Sequence, residues 1–270
     1  MDVLSADWLG ICRRIVAAQQ AIFDEVTGAE ARTVYEGVGE GGDRTLAIDR
    51  RCEDVVFAEL EELAAAGASF VAVSEERGEV SFGGGGPARV VIDPIDGSLN
   101  ARRTLPSHSL SIAVASGGSM ADVELGYVFD FGAGEELAAR RESGATLDGE
   151  RIEVGEDRET IELLGLEAAE PARALEALGP LAGSVYRLRV VGSIAITAAY
   201  VAAGRLDAMV ALWPCRSVDA AAAQLIVREA GGRVAFGDLP LADASLGLSA
   251  RYPIAAAAGE RSLAIAREAE

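Results

Sequence analysis

Basic residues are scarce in this chain of 270 residues, and lysine is absent altogether. The sequence has one histidine, His108, so arginine supplies nearly every positive charge. Acidic residues outnumber basic residues by 43 to 24, which gives a formal net charge of −19. Nucleic acids and anionic membranes bind basic surfaces. The composition therefore predicts that neither is a partner of this protein.

Cysteine is also rare, and the sequence shows no sign of export or membrane insertion. Cys12, Cys52 and Cys215 are widely spaced and form no CxxC pair, which excludes a disulfide framework and a zinc pattern. The first residues lack the basic region and apolar core of a signal peptide. The longest apolar stretch of the second half, between Arg189 and Arg205, is shorter than a membrane span. We expect a soluble, cytoplasmic protein.

Hydrophobic periodicity divides the chain into two halves. Residues 1–155 have the pattern of an α+β arrangement, and residues 156–270 alternate strands and helices as α/β proteins do. Helices are predicted at 8–26, from 49 onward, at 193–203, at 219–230 and at the C-terminus. Strands are predicted at 69–73, 90–93, 109–115, 123–129, 161–166, 187–191, 207–212, 233–236 and 253–258. The glycine-rich segment 36–43 is either a plain connector or a mobile lid.

The segment 90–100, Val-Val-Ile-Asp-Pro-Ile-Asp-Gly-Ser-Leu-Asn, is the most informative part of the sequence. Its β-branched residues predict a buried strand, which Pro94 is expected to end. Asp93 and Asp96 are then costly to bring together unless a cation neutralises them. Oxygen ligands suit a hard cation such as Mg²⁺, and Gly97 lets the backbone approach an anion. The segment predicts a metal-dependent site that acts on phosphate, with an ordinary surface turn as the alternative.

This segment and a second motif resemble the inositol monophosphatase family, within the fold shared with fructose-1,6-bisphosphatase. Residues 93–98 match the family pattern Asp-Pro-Ile/Leu-Asp-Gly-Thr/Ser, and residues 218–232 are similar to its Trp-Asp-x-Ala-Ala-Gly…Glu-Ala-Gly-Gly helix. Three further segments resemble parts of the family and occur in the family's order along the chain: residues 45–49, 74–76 and 189–193. The resemblance implies a layered αβαβα sandwich that combines α+β and α/β features and is commonly a homodimer.

The resemblance also implies roles for individual residues. Two or three Mg²⁺ ions would be held by Glu75, Asp93, the main-chain carbonyl of Ile95, Asp96 and Asp219. Catalysis would involve Glu75 and a pair formed by Asp49 and Ser98, which would activate and orient the attacking water. Substrate contacts would come from Asp96, Gly97, Ser98, Arg189, Gly192, Ser193 and Asp219. From the residues alone, Asp219 is also typical of a helix N-cap and Glu75 of a solvated surface charge.

The resulting hypothesis is a Mg²⁺-dependent phosphomonoesterase for a small polyol or sugar phosphate. The motif details resemble archaeal-type enzymes that act on both inositol-1-phosphate and fructose-1,6-bisphosphate, and the resemblance implies inhibition by lithium. Histidinol phosphate and 3′-phosphonucleotides remain alternative substrates, and a non-catalytic regulatory protein is the alternative of another class. Aspartyl-phosphate chemistry is disfavoured because Asp93 and Asp96 are three positions apart rather than two. Because the net charge repels phosphate, bound cations would have to reverse the charge locally.

Overall fold

The computed structural model describes residues 2–38, 40, 44–167 and 170–270. Its α-helices are α1 (Trp8–Glu25), α2 (Ala47–Ala65), α3 (Ser98–Arg102), α4 (Pro171–Leu181), α5 (Ile194–Ala202), α6 (Ser217–Glu229) and α7 (Glu260–Arg267). Its strands are β1 (Tyr35–Val38), β2 (Arg44–Leu46), β3 (Phe70–Ser74), β4 (Gly78–Phe82), β5 (Arg89–Asp96), β6 (Ser109–Ala115), β7 (Val123–Asp130), β8 (Glu135–Arg140), β9 (Gly144–Leu147), β10 (Glu150–Ile152), β11 (Ile161–Glu167), β12 (Val185–Arg189), β13 (Ala208–Ala211), β14 (Cys215–Arg216), β15 (Arg233–Ala235), β16 (Arg251–Tyr252) and β17 (Ala255–Ala257). Short 3-10 helices occur at Val3–Ser5, Ala31–Thr33 and Met120–Asp122.

Two sheets and three helical layers alternate through the molecule. The larger sheet has the strand order β10-β9-β8-β7-β6-β5-β3-β4, and the smaller has the order β12-β11-β13-β17-β15. Helices α1 and α2 cover one face of the larger sheet, and α5 and α6 pack between the two sheets. Helices α4 and α7 cover the outer face of the smaller sheet. This order confirms the predicted αβαβα sandwich.

Each sheet comes from one half of the chain, but α6 joins them. The larger sheet uses residues 70–152 and the smaller uses residues 161–257. Because α6 packs against strands of both sheets, the halves share a hydrophobic core. The division into domains at residue 155 stays a prediction. In the described part of the chain, no helix is both long and apolar enough to cross a membrane.

Small residues bring α6 unusually close to the larger sheet. Ala220, Ala221, Ala222 and Ala223 are all buried in this helix. A Cβ atom added to Gly126, in β7, would lie 2.4 Å from the main-chain oxygen of Ala222. That distance is far below van der Waals contact, so only glycine fits between the strand and the helix.

The path of β5 differs from the prediction that Pro94 ends the strand. The strand continues to Asp96, and its register with β6 shifts between the pairs Asp93–Ser111 and Asp96–Ser109. Pro94 lies inside this bulge, where the ladder does not require its missing amide donor. The bulge therefore places Asp93 and Asp96 at the end of a buried central strand rather than in a surface turn.

Other element boundaries also need correction. Helices α2 and α6 begin two residues earlier than predicted, so Asp49 and Asp219 lie inside their first turns. The strand predicted at 187–191 ends at Arg189, because the amides that follow bind a side chain instead of a neighbouring strand. Sequence reasoning missed β8, β9, β10 and α4, although Pro171 at the start of α4 is a typical helix-start signal. The segment 36–43, expected to be a connector or a lid, begins within strand β1, which runs to Val38, and its residues 39 and 41–43 lie outside the described part of the chain.

The contact between β7 and α6 gives a prediction about stability. Gly126→Ala should destabilise the protein by about 1–3 kcal/mol, because the added methyl group forces α6 away from the sheet. The matched control is Gly155→Ala, since a Cβ atom there meets nothing within 4 Å. Urea unfolding followed by circular dichroism measures both changes. Equal stability of the two variants would contradict the close packing.

Candidate active site

Six carboxylates converge in a pocket of about 210 Å³ at the end of β5. They come from segments far apart in the sequence, namely the first turn of α2, the end of β3, the bulge of β5 and the first turn of α6. The pocket is lined by Asp49, Glu75, Glu76, Asp93, Pro94, Ile95, Asp96, Gly97, Ser98, Arg216 and Asp219. The structure thus brings together all the residues predicted as metal ligands and as catalytic groups.

Helix starts fix two of these carboxylates in the same way. Asp49 is the third residue of α2, and its Oδ2 accepts a hydrogen bond from the Leu46 amide at 3.2 Å. Asp219 is the third residue of α6, and its Oδ2 accepts one from the Arg216 amide at 2.8 Å. The helix N-terminus stabilises a negative charge at this position. The capping role and the place in the pocket therefore coexist for Asp219, although it is not the N-cap residue itself.

The bulge in β5 orients the next pair of carboxylates. Asp93 Oδ1 accepts a hydrogen bond from the Ile95 amide at 3.0 Å. Asp96 Oδ2 accepts two, from the Ser193 hydroxyl at 2.5 Å and from the Ala195 amide at 2.7 Å. Each carboxylate keeps a defined orientation because hydrogen bonds hold one of its oxygens, from a local amide for Asp93 and from a distant segment for Asp96.

The segment 191–195, which binds Asp96, is held by hydrogen bonds on two sides. Glu167, which is 1% exposed, accepts hydrogen bonds from the Val191 and Gly192 amides at 3.1 and 2.9 Å and from the Thr197 hydroxyl at 2.7 Å. On the other side, the Asn100 amide group donates to the carbonyl of Val191 at 2.8 Å. Sequence reasoning assigned no role to Glu167 or Asn100. The sequence feature that could have indicated Glu167 is its position as an acidic residue at the end of an apolar strand.

Residue 97 must be glycine for two reasons. Its φ of 85° lies in the left-handed region, and an added Cβ atom would lie 2.9 Å from the Ser107 carbonyl oxygen and 3.0 Å from that of Gly192. Ser98 follows at the start of α3 and is exposed to the pocket. The backbone therefore turns sharply at the pocket wall, and Ser98 is open to the pocket.

Burial raises the pKa values of Asp49, Glu75, Asp93, Asp96 and Asp219, and repulsion by neighbouring carboxylates adds to this rise for several of them. Burial and the charge of Glu75 raise the pKa of Asp93 well above its usual value, and burial and Asp219 do the same for Glu75. Burial and Asp219 raise the pKa of Asp96 to about 7. The pKa of Asp49 also rises to about 7, chiefly because the group is buried. The pocket cannot hold all these charges without added positive charge.

The donor set suits a hard divalent cation. Carboxylate and carbonyl oxygens are the ligands that such ions prefer. Asp49 Oδ1 is buried and has no hydrogen-bond partner among the described residues, so it is available to a ligand or water. It follows that Ser98 does not donate to this oxygen, and the expected pairing of Asp49 with Ser98 is not formed in this arrangement.

Side-chain adjustment is nevertheless needed before an ion is coordinated. Within the described ranges, no three acidic, histidine or cysteine side chains are grouped closely enough to hold one metal ion. The Glu75 carboxylate is not free to act as a metal ligand, because it forms an ion pair with the guanidinium of Arg216. The carboxylates lie around one pocket, as a metal site requires, but the side chain of Glu75 is engaged by Arg216 within it.

The predicted substrate contacts divide into three groups. Asp96, Gly97, Ser98 and Asp219 line the pocket. Gly192 and Ser193 lie directly behind Asp96 and Gly97. Arg189 is exposed on β12 and lies outside the pocket lining. Its contact with a substrate stays a prediction.

Comparison with known proteins decides the family. A model of the inositol monophosphatase family matches residues 11–269. The chain belongs to this family. It is 30% identical over 260 residues to the fructose-1,6-bisphosphatase/inositol-1-monophosphatase of Methanothermobacter thermautotrophicus, covering 93% of this chain and 91% of the relative. It is also 36% identical over 169 residues to the Nus factor SuhB of Escherichia coli, covering 60% and 61% of the two chains.

The fold of the family agrees with the structure described above. The crystal structure of the MJ0109 gene product, an inositol monophosphatase–fructose 1,6-bisphosphatase, superposes with a TM-score of 0.84 at 26% identity. The match covers 98% of this chain and 100% of the other. Members of the inositol monophosphatase family are generally metal-dependent. The resemblance deduced from the two motifs is confirmed.

The raised pKa values predict how stability depends on pH. Between about pH 4 and pH 7 the folded carboxyls, Asp49 and Asp96 among them, hold protons that the unfolded chain has lost. The folded state then binds more protons, so the free energy of unfolding should fall by about 1–3 kcal/mol as the pH rises from 5.5 to 8. Urea unfolding in EDTA measures this change. Asp96→Asn should flatten the dependence, and a stability that rises with pH would contradict the assignment.

Proposed function

We propose that this protein is a Mg²⁺-dependent phosphomonoesterase that hydrolyses a small polyol or sugar phosphate. Inositol-1-phosphate and fructose-1,6-bisphosphate are the proposed substrates, singly or together. The proposal depends chiefly on one observation, the convergence of six carboxylates with the Gly97–Ser98 turn in a single pocket. A phosphate monoester carries negative charge into an acidic site, which is favourable only where cations neutralise both.

The chain offers ligands for two or three cations. Glu75, Asp93 and the carbonyl of Ile95 would hold one ion, and Asp93, Asp96 and Asp219 a second. A third, weaker ion would lie near Glu75 and Glu76. When bound, such ions neutralise phosphate oxygens and lower the pKa of water. The protein contributes fixed positions, since backbone amides and Ser193 already orient Asp93, Asp96 and Asp219.

The proton from the attacking water is proposed to leave through Asp49. Its Oδ1 is buried beside the pocket, and its raised pKa of about 7 makes the carboxylate a suitable base near neutral pH. The Ser98 hydroxyl, which lines the same pocket, is proposed to donate to Asp49 and to accept from the water. The water oxygen then bonds to phosphorus as the bond between phosphorus and the ester oxygen breaks, and the leaving oxygen takes a proton from solvent water.

The phosphate is proposed to lie against the Gly97 and Ser98 backbone, which lines the pocket at a left-handed turn. Gly192 and Ser193 border this region, and Arg189 and Arg216 are proposed to contact a second phosphate on a bisphosphate substrate. The pocket of about 210 Å³ suits a small ligand rather than a polymer.

The proposal also covers the oligomeric state, inhibition, location and partners of the enzyme. A homodimer and inhibition by lithium are proposed from the family resemblance. Three buried free cysteines favour a reducing, cytoplasmic location. The net charge of −19 argues against binding to nucleic acid or to an anionic membrane. The similarity to a Nus factor makes a regulatory protein the alternative, but the retained carboxylates favour catalysis.

Removal of one carboxylate tests the metal site. Asp93→Asn should lower kcat by at least about 10²-fold, because an amide binds a hard cation poorly and loses several kcal/mol of charge stabilisation. The fold should persist, since Asn keeps the oxygen that accepts from the Ile95 amide. Asp243→Asn, at an exposed position, is the matched control and should keep full activity. Undiminished turnover in Asp93→Asn would exclude this site.

Metal removal tests the reaction class. Phosphate release from inositol-1-phosphate and fructose-1,6-bisphosphate should stop in EDTA and return with Mg²⁺, because the acidic pocket repels the unneutralised substrate. The measurement is inorganic phosphate released by the full chain from a panel that includes histidinol phosphate and a 3′-phosphonucleotide. Folded protein that stays inert on the whole panel with Mg²⁺ would favour the regulatory alternative.

A further inference from the structure

Arg216 is the only basic side chain among the described residues that line the acidic pocket. Its guanidinium pairs with Glu75, and the two side chains are 18% and 21% exposed. Burial lowers the pKa of Arg216, but a guanidinium stays charged at any physiological pH. The positive charge therefore contacts the same carboxylate that the proposed function assigns to a metal ion.

We propose that the Arg216 guanidinium is a built-in counter-charge that competes with the divalent cation for Glu75 and thereby sets the metal affinity of the site. This inference rests on the proposed function, because it concerns the metal site of that reaction. Arg216 is in this view a positioning residue: it controls when Glu75 is available, and the freed guanidinium stays at the pocket to meet an anion.

The backbone places Arg216 so that only its side chain needs to move. Arg216 pairs with Arg251 in the short β14–β16 ladder, and its amide donates to the Asp219 carboxylate. Both contacts anchor the main chain beside the pocket. The guanidinium can exchange one partner for another while Asp219 and the start of α6 stay in place.

Repulsion between the two positive charges means that the guanidinium and the cation exclude each other from Glu75. A carboxylate shared by a guanidinium and a divalent cation would bring two positive centres within a few ångströms, and they repel each other in a partly buried site. With Arg216 in place, the pocket has some compensation for its six carboxylates. When the cation binds, the guanidinium is no longer needed at Glu75.

A neighbouring ion pair shows what a purely structural arrangement looks like. Glu53, which is 1% exposed, accepts hydrogen bonds from the Ser74 hydroxyl and the Arg77 amide and lies 3.2 Å from the Arg77 guanidinium. It is closed to solvent and held by several donors. Glu75 is more exposed than Glu53 and, with Arg216, lines the pocket itself, which suits exchange.

The test is the affinity of the full chain for Mg²⁺ alone, measured by isothermal titration calorimetry after removal of metal with EDTA. Arg216→Gln should bind Mg²⁺ about tenfold more tightly than the unmodified protein, equal to about 1.4 kcal/mol. Arg216→Lys, which keeps the charge, should stay within about twofold. The control Arg233→Gln removes an exposed arginine that pairs with Glu260 and does not line the pocket, and it should also change little.

A second readout uses thermal unfolding. Without Mg²⁺, Arg216→Gln should melt at a lower temperature than the unmodified protein, because the acids lose their counter-charge. With saturating Mg²⁺ that deficit should shrink or reverse. If Arg216→Gln does not fold, Arg216→Met replaces it, since it removes the charge and keeps most of the alkyl stem.

The outcomes separate this inference from the proposed function. Mg²⁺ binding by the unmodified protein with equal or weaker binding by folded Arg216→Gln would overturn the competition and leave the metal site intact. Absence of Mg²⁺ binding in both proteins would overturn both. In a Glu75→Gln background, Arg216→Gln should no longer change the affinity for Mg²⁺. A tenfold gain in Mg²⁺ affinity that persists in this background would show that Glu75 is not the shared ligand.

Discussion

Repulsion among buried carboxylates is the constraint on which the pocket depends. Hydrogen-bond donors hold Asp93, Asp96 and Asp219 in place, so these charges cannot move apart freely to relieve the repulsion. Burial strengthens the effect and raises their pKa values. The site must therefore take up protons, a guanidinium or metal ions, and phosphate chemistry follows from the last of these choices.

Packing keeps this arrangement rigid. Helix α6 carries Asp219 at its start and lies against β7 at a distance that only Gly126 allows. The turn that holds Asp96 is fastened by Glu167 from the smaller sheet and by Asn100 from α3. The acidic groups are thus positioned by contacts that cross from one sheet to the other. A shift of either sheet would change the pocket directly.

The family relationship places this chain among proteins with more than one named activity. The relative from Methanothermobacter thermautotrophicus is named for both fructose-1,6-bisphosphate and inositol-1-phosphate hydrolysis, and the Escherichia coli relative is named a Nus factor. In this chain six carboxylates line one pocket, whereas Arg189 lies on an exposed strand outside it. A common hydrolytic centre with variable surroundings is the simplest account of that combination.

Local chemistry in the sequence determined much of this protein. The Asp-Pro-Ile-Asp-Gly-Ser segment and the Asp219 helix identified the family, and periodicity located α1, α5, β6 and β7, because these signals depend on neighbouring residues only. The tertiary structure alone decided that β5 continues through Pro94 in a bulge, that Glu167 fastens the turn behind Asp96, and that Arg216 pairs with Glu75. These contacts join residues far apart in the chain, and no local pattern records which distant partner a side chain will meet.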